Sequence, residues 1–414
     1  MSRLFSTAIS SMQTHSLGID VAGNNIANLN TTGYKSVRAT FETLFSQTLR
    51  QAQAPQSGLA GNDPMQVGAG VGLANTMTSF ARGSLEHTGE NLDLAIAGRG
   101  FFVLAGPNGE EAYTRDGALT MDAGGRLTHA SSGLSVQGLL ADPATNQIPA
   151  NALPTDIVIP PGLTLNAQAT ENVNIAGNLN ASAAVGDSTD MQYRYYDSLG
   201  VAHVMTVSFT KTGAGAWGFS GYIDVPANNV GSGTLTFSST GDVSAVTGNT
   251  FNVTAASTGV TSGATAPQAI LANLTQMTQF SSTAEVQATN QDGFPPGSLN
   301  DVITDTTGNI QAVFSNGQTR LIARLAVANF ANLNGLVRSG DNLFIQSSNT
   351  GSPQIVSAGS GGTGQIQSQA LERSNVDLAS ELTTLLVLQR GYSAATRMVS
   401  TADDMLQEAL NLKR

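Results

Sequence analysis

The chain has 414 residues, 40% hydrophobic, 11% charged and 6% aromatic, with a formal net charge of −11. That balance leaves no surplus of Lys and Arg to neutralise phosphates, which excludes nucleic acid as a partner and a polybasic membrane anchor. With no cysteine, disulfides, thiolate zinc sites and Cys nucleophiles are excluded as well.

The first predicted element is a helix. Phe5, Ile9, Met12, Ser16, Ile19, Gly23 and Ile26 recur at alternating spacings of four and three, the pattern of a narrow apolar seam on one helix face. The helix is expected from about Ser2 to Asn28, where Asn24, Asn25, Asn28 and Asn30, then Thr31-Thr32-Gly33, favour a turn. The first twenty residues hold one Arg and no continuous apolar run, so a cleaved secretory signal is not expected there. No stretch approaches the ~18 apolar residues of a membrane span, so membrane insertion is not expected.

The interior changes to period two. Met205-Thr-Val207-Ser-Phe209 and Leu235-Thr-Phe237 alternate, and Ile310-Gln-Ala312-Val-Phe314 is joined through Asn316-Gly317 to Leu321–Val327, which reads as a hairpin. Prolines 143, 149, 154, 160 and 161 mark one internal boundary, and Gly293-Phe-Pro-Pro-Gly297 marks another. The Ala-, Ser- and Thr-rich stretch between them reads as a domain inserted into a second one.

The last predicted element is a longer helix. Leu378, Leu382, Leu385, Gln389, Tyr392, Thr396, Val399, Asp403, Leu406 and Leu410 keep the four-three spacing, and Leu388, Ala395, Ala402 and Ala409 form a neighbouring row. At 1.5 Å per residue it spans roughly 50 Å. A single amphipathic helix ordinarily packs on a globular core. Two narrow-striped ones at opposite ends of a chain point instead to pairing of the termini, with each other and with other copies.

Several motifs lack the context that chemistry needs. Gly359, Gly361 and Gly364 satisfy G-x-G-x-x-G without a βαβ unit around them, so they read as a linker or turn. His15, His87, His129 and His203 are scattered, and Glu110-Glu111 and Asp403-Asp404 are sequence neighbours that point apart. No G-x-S-x-G elbow is present. A secreted β-domain enzyme or adhesin stays as the rival reading at this level.

Three blocks carry a resemblance. Gly23-Asn-Asn-Ile-Ala-Asn28 with Thr32-Gly-Tyr-Lys-Ser36 opens the chain. Leu92–Val103, Tyr113-Thr-Arg-Asp-Gly117 and Gly133–Gly138 follow, and Ser374–Glu381 with Gln389-Arg-Gly-Tyr392 closes it. In this order they resemble the family of bacterial flagellar rod and hook axial proteins. Tyr195-Tyr-Asp-Ser-Leu-Gly200 and the long insertion are similar to the hook members. A distal rod protein of the basal body is the alternative.

The resemblance implies an α+β chain: long terminal helices of coiled-coil type with nested, mainly antiparallel β domains, barrel- or sandwich-like. Residues 1–30 and 375–414 would form the helical core, 31–75 and 358–374 connectors, 76–146 and 286–357 an inner β domain, and 147–285 an inserted outer one. It implies a structural subunit, with no catalysis and no cofactor or metal, that polymerises with many copies of itself into a curved tube transmitting torque. Expected partners are a hook-cap protein, a distal rod protein, a hook–filament junction protein and the flagellar type III export apparatus. The expected place is the cell exterior. The seam residues expected to carry self-assembly are Phe5, Ile9, Met12, Ile19, Ile26, Leu378, Leu382, Leu385, Tyr392, Val399, Leu406 and Leu410.

Overall fold

The computed structural model describes residues 2–54, 61–223, 228–254 and 267–411. The chain is mostly β-strand, with one long helix near each end: α1, Ser2–Ala27, and α2, Leu378–Asn411. It divides into two compact units. The first comprises residues 1–161, 302–311 and 320–414, the second 162–301 and 312–319. The second unit therefore begins and ends later than the inserted domain expected at 147–285. Its boundary strand Thr164–Leu165 pairs with the start of Gly297–Thr304, which draws residues beyond 285 into the same body.

In the first unit α1 and α2 pack on each other, and α1 also lies on an antiparallel pair, Val37–Thr43 with Val71–Thr78. These strands, with the exposed hairpin Ser46–Arg50 and Met65–Gly68, occupy the stretch 31–75 expected as connector. The β body of this unit runs Thr319–Leu325, Ser135–Leu140, Phe101–Ala105, Glu111–Thr114, Leu343–Ile345 and Val337–Arg338 across one sheet. Phe101, Tyr113, Phe330 and Phe344 close its core edge to face, with Phe80 packed against them. Such offset aromatic pairs add roughly 0.5–1.5 kcal/mol beyond the area they bury.

Asn309–Phe314 and Thr319–Leu325 flank the Asn316-Gly317 turn, where Gly317 takes a φ of 79°. Gly359–Gly364 is a tight loop rather than an open linker. Gly359 N–H donates to the Gly364 carbonyl at 3.0 Å, and a strand, Gln365–Ser368, follows where a nucleotide fold would place a helix.

Two sheets of the second unit, besides the Thr164–Leu165 pairing, enclose its core. Ser188–Tyr196, Ala202–Gly213, Ala216–Ile223, Asn229–Phe237 and Val243–Thr247 form an antiparallel meander. Thr250–Val253, Gln268–Phe280, Asn172–Asn180 and Glu285–Gln291 form the other, in which Asn172–Asn180 and Gln268–Phe280 run parallel. One core joins them. Trp217, Phe219 and Ile223 alternate inward along their strand and meet Val173, Ile175, Ile270 and Leu274 from the other sheet. Each such side chain contributes roughly 1.5–3 kcal/mol on burial, enough for this unit to hold its own core.

Candidate functional site: the terminal helix pair and its anchor

The two helices meet through small residues. A Cβ at Gly18 would lie 3.1 Å from the methyls of Leu388, and one at Gly391 only 2.6 Å from the His15 ring. Further along, Asn25 Nδ2 donates to Glu381 Oε1 at 3.0 Å. As α1 advances, its partners step back along α2, so the pair is antiparallel. Ala8, Gly18 and Ala22 on α1 and Leu388, Ala395 and Ala402 on α2 are buried. The centre of the contact on α2 is thus the neighbouring row of the sequence pattern; the side chain of Ala409, which continues it, lies outside the described residues.

The expected seam residues stand beside this contact. Ile9, Met12, Ile19 and Ile26 on α1, and Leu385 and Val399 on α2, are half-buried along its rim. Phe5, Leu378, Leu382, Tyr392, Leu406 and Leu410 are exposed, Leu410 at 70%. Within one chain, then, the seam is an uncovered apolar ridge. A row of large aliphatic residues would hold the helix axes apart, so close packing goes to the small-residue row.

Beneath the helices lies a buried polar knot. Lys35 Nζ donates to Glu372 Oε1 at 2.6 Å, and both side chains are fully buried. Arg115 reaches the other Glu372 oxygen at 3.4 Å, and Gly83 N–H donates to Oε1 at 2.8 Å. Lys35 also donates to the Ala81 carbonyl at 3.0 Å, and the Glu372 backbone carbonyl accepts from Gly33 N–H at 2.7 Å. Two cations share one carboxylate. Burial pushes the Lys35 ammonium below its usual range, and the Glu372 charge works against that shift.

Asn25 and Asn375 tie the knot to the helices. Asn25 Oδ1 accepts from Val37 N–H at 2.9 Å and from the Tyr34 hydroxyl at 3.1 Å, while its Nδ2 donates to the Val37 carbonyl at 2.7 Å. Asn375 accepts from Ser36 N–H and donates to the Ser79 and Ala81 carbonyls. The Arg338 guanidinium covers the Tyr34 ring 4.9 Å from its centroid and donates to the Lys35 carbonyl. Every one of these groups is short-ranged and directional, so the exits of both helices from the β body are fixed.

None of Asn25, Lys35, Arg115, Glu372 or Asn375 belongs to the apolar rows of either helix. Four of them fall inside the blocks Gly23–Asn28, Thr32–Ser36, Tyr113–Gly117 and Ser374–Glu381, which was the available signal; Glu372 lies outside all the blocks. Among the described residues, no group of three or more His, Asp or Glu side chains is placed to hold a metal. None of the described helices is long and apolar enough to cross a membrane.

Four protein-family models match the chain in order, and all describe axial parts of the bacterial flagellum. They are the flagellar basal body rod protein over residues 5–35, the flagellar hook protein FlgE/F/G D1 domain over 95–181, the flagellar basal body protein FlaE D2 domain over 176–294, and the flagellar basal body rod FlgEFG protein C-terminal region over 367–412. The first and last cover most of the helix pair. The class is therefore that of the rod and hook proteins. Flagellar hook protein FlgE of Treponema pallidum is 34% identical over the full length of both chains, and that of Escherichia coli is 33% identical over 99% of this chain and 100% of the relative. The chain belongs to the flagellar hook protein FlgE family. The crystal structure of Helicobacter pylori flagellar hook protein FlgE2 shares the fold, with a TM-score of 0.52 over 69% of this chain and all of that one, at 14% identity.

Proposed function

We propose that this protein is the building block of the flagellar hook, a curved tube of many identical copies that joins rod to filament and passes torque through a bend. The observation that carries the reading is the uncovered apolar ridge on a helix pair locked to its β body. Apolar area left in water on so long an element marks an interaction surface. Full-length likeness to hook proteins supports the hook over the distal rod.

In this reading Phe5, Ile9, Met12, Ile19, Ile26, Leu378, Leu382, Leu385, Tyr392, Val399, Leu406 and Leu410 bind neighbouring copies in coiled-coil fashion and give the tube its cohesion. The β layers form the sheath. Their surface is poor in charge and rich in Ser, Thr, Asn and Gln, which favours water-mediated contacts that re-form cheaply as the tube bends. The role is structural, without catalysis or cofactor. The chain works outside the cell, exported by the flagellar type III apparatus. It adds beneath a hook-cap protein, and the tube ends on a distal rod protein and a hook–filament junction protein.

The test is assembly. Leu382→Asp and Leu406→Asp should abolish tubes in electron micrographs while Trp217 emission, a reporter of the second unit, stays native. Normal tubes from both variants would overturn the reading.

A further inference from the structure

Apart from Leu386, which is 54% exposed on the outward face, the exposed and half-buried apolar residues in the middle of α2 fall into two groups. With 3.6 residues per turn, Leu382, Leu385, Tyr392 and Val399 lie on one side of the row that faces α1. Val387, Met398 and Met405 lie on the other, about 150° away around the axis. Val387 is 62% exposed and Met405 56%. Because the helices are antiparallel, Ile9, Met12 and Ile19 of α1 extend the first group across the pair, making a ridge. The second side is concave. Beside Val387, a groove of about 870 Å³ opens between α1, α2 and the strand Val37–Thr43, lined by Ala22, Phe41, Thr383 and Leu388 among others. Between ridge and groove, the face of α2 turned away from α1 carries Arg390, Arg397, Asp404 and Glu408. Neither arginine makes an ion pair among the described residues.

We infer that one copy's ridge seats in the next copy's groove, so that the contact between copies is head-to-tail along the helix pair. This rests on the self-assembly reading above and says which surfaces perform it. A self-complementary patch closes a two-fold dimer and stops, whereas growth without limit needs two unlike patches that remain available after each addition. Ridge and groove satisfy that need. They are convex and concave and sit on opposite sides of one pair; the ridge is apolar, and the groove mixes apolar side chains such as Val21, Phe41 and Val387 with Ser, Thr, Arg38 and Glu381. The charged face between them stays in water, where Arg390 and Arg397 avoid the cost of burial without a partner. A second copy is the occupant because the complement of each surface is present on the same chain.

The chain has no cysteine, so introduced ones report without background. Val387→Cys in the groove is paired with Leu385→Cys, Tyr392→Cys or Val399→Cys on the ridge, each variant carrying one cysteine. Tubes of each variant alone and of groove and ridge variants mixed are oxidised with copper phenanthroline and run on a denaturing gel. Disulfide dimers are expected only in mixtures, for at least one ridge position. Dimers from a single variant alone would mean a two-fold contact and overturn the inference. Mixed tubes that form normally and give no dimers at any ridge position would overturn it too, leaving self-assembly intact. If the unmodified chain forms no tubes, the self-assembly reading itself falls.

Discussion

Lys35 and Glu372 stand 337 residues apart in the chain and 2.6 Å apart in the fold, each fully buried. The pair joins the exit of α1 to the entry of α2. Removing its acid should be far worse than removing its base. Glu372→Ala strands Lys35 and Arg115 as buried cations, and losses of about 3–5 kcal/mol are typical for such a break. Lys35→Met leaves Arg115 on the carboxylate and should cost less. Amide exchange in the strand Leu94–Ala97 would measure both, with Trp217 emission unchanged. Equal losses would count against the shared-carboxylate picture.

The same lysine sets a pH dependence. Its folded value lies below the ordinary lysine value of 10.5 because burial disfavours the charge, with Glu372 opposing. Between the lowered value and 10.5 the unfolded chain holds more protons than the folded one, so this group's contribution to stability rises with pH in that window. Lys35→Met should flatten the rise in alkaline denaturation curves of the first unit.

Asn25 uses both ends of its amide, on Val37, Tyr34 and Glu381. Asn25→Ala leaves these groups without a partner and should cost about 2–4 kcal/mol, since each orphaned buried group costs about 1–3. Asn25→Asp places a second carboxylate against Glu381, whose own value burial already raises, with the Asn25 hydrogen bond opposing. A raised carboxylate binds its proton more readily in the folded state, so stability falls as pH climbs from 4.5 through the raised value. The Asp variant should therefore recover stability on acidification, visible as a helical circular-dichroism melt that moves up toward acid pH. A melt that moves down with acid would reject this geometry.

Gly391 is where the helix axes come closest to a side chain of the partner. An added Cβ meets the His15 ring at 2.6 Å, so Gly391→Ala must displace the ring or open the pair. The variant should lose about 1–3 kcal/mol by overpacking, and His15→Ala in the same chain should return most of it. A double-mutant cycle with no coupling would show that the ring simply swings away.

Asp292 anchors the second unit. Burial acts to raise its value, but hydrogen bonds from the Asn172 and Glu171 backbones and the Asn172 side chain prevail and hold it below 3.8. Above 3.8 its contribution is fully present, and it is lost as pH falls through the depressed folded value. Asp292→Ala should lower the stability of this unit at neutral pH by about 1 kcal/mol, a figure discounted for solvent screening, and should make its acid unfolding shallower. Urea titrations followed at Trp217 test both.

The sequence alone told how the chain is laid out. A four-three apolar period needs only local geometry to be read, so both helices, at Ser2–Ala27 and Leu378–Asn411, were legible from it, as was the Asn316-Gly317 hairpin. The resemblance of three ordered sequence blocks was enough to point to the rod and hook class. Which helix face meets which was decided only in three dimensions. The spacing argument favours the largest apolar row, whereas two axes pack closest where Gly18, Ala22, Gly391 and Ala395 leave room, and that choice puts Leu382, Tyr392 and Leu406 on the outside. The knot was equally hidden, because Lys35, Arg115 and Glu372 hold one another by short-range contact across hundreds of residues, and no local pattern records a partner that only folding brings near.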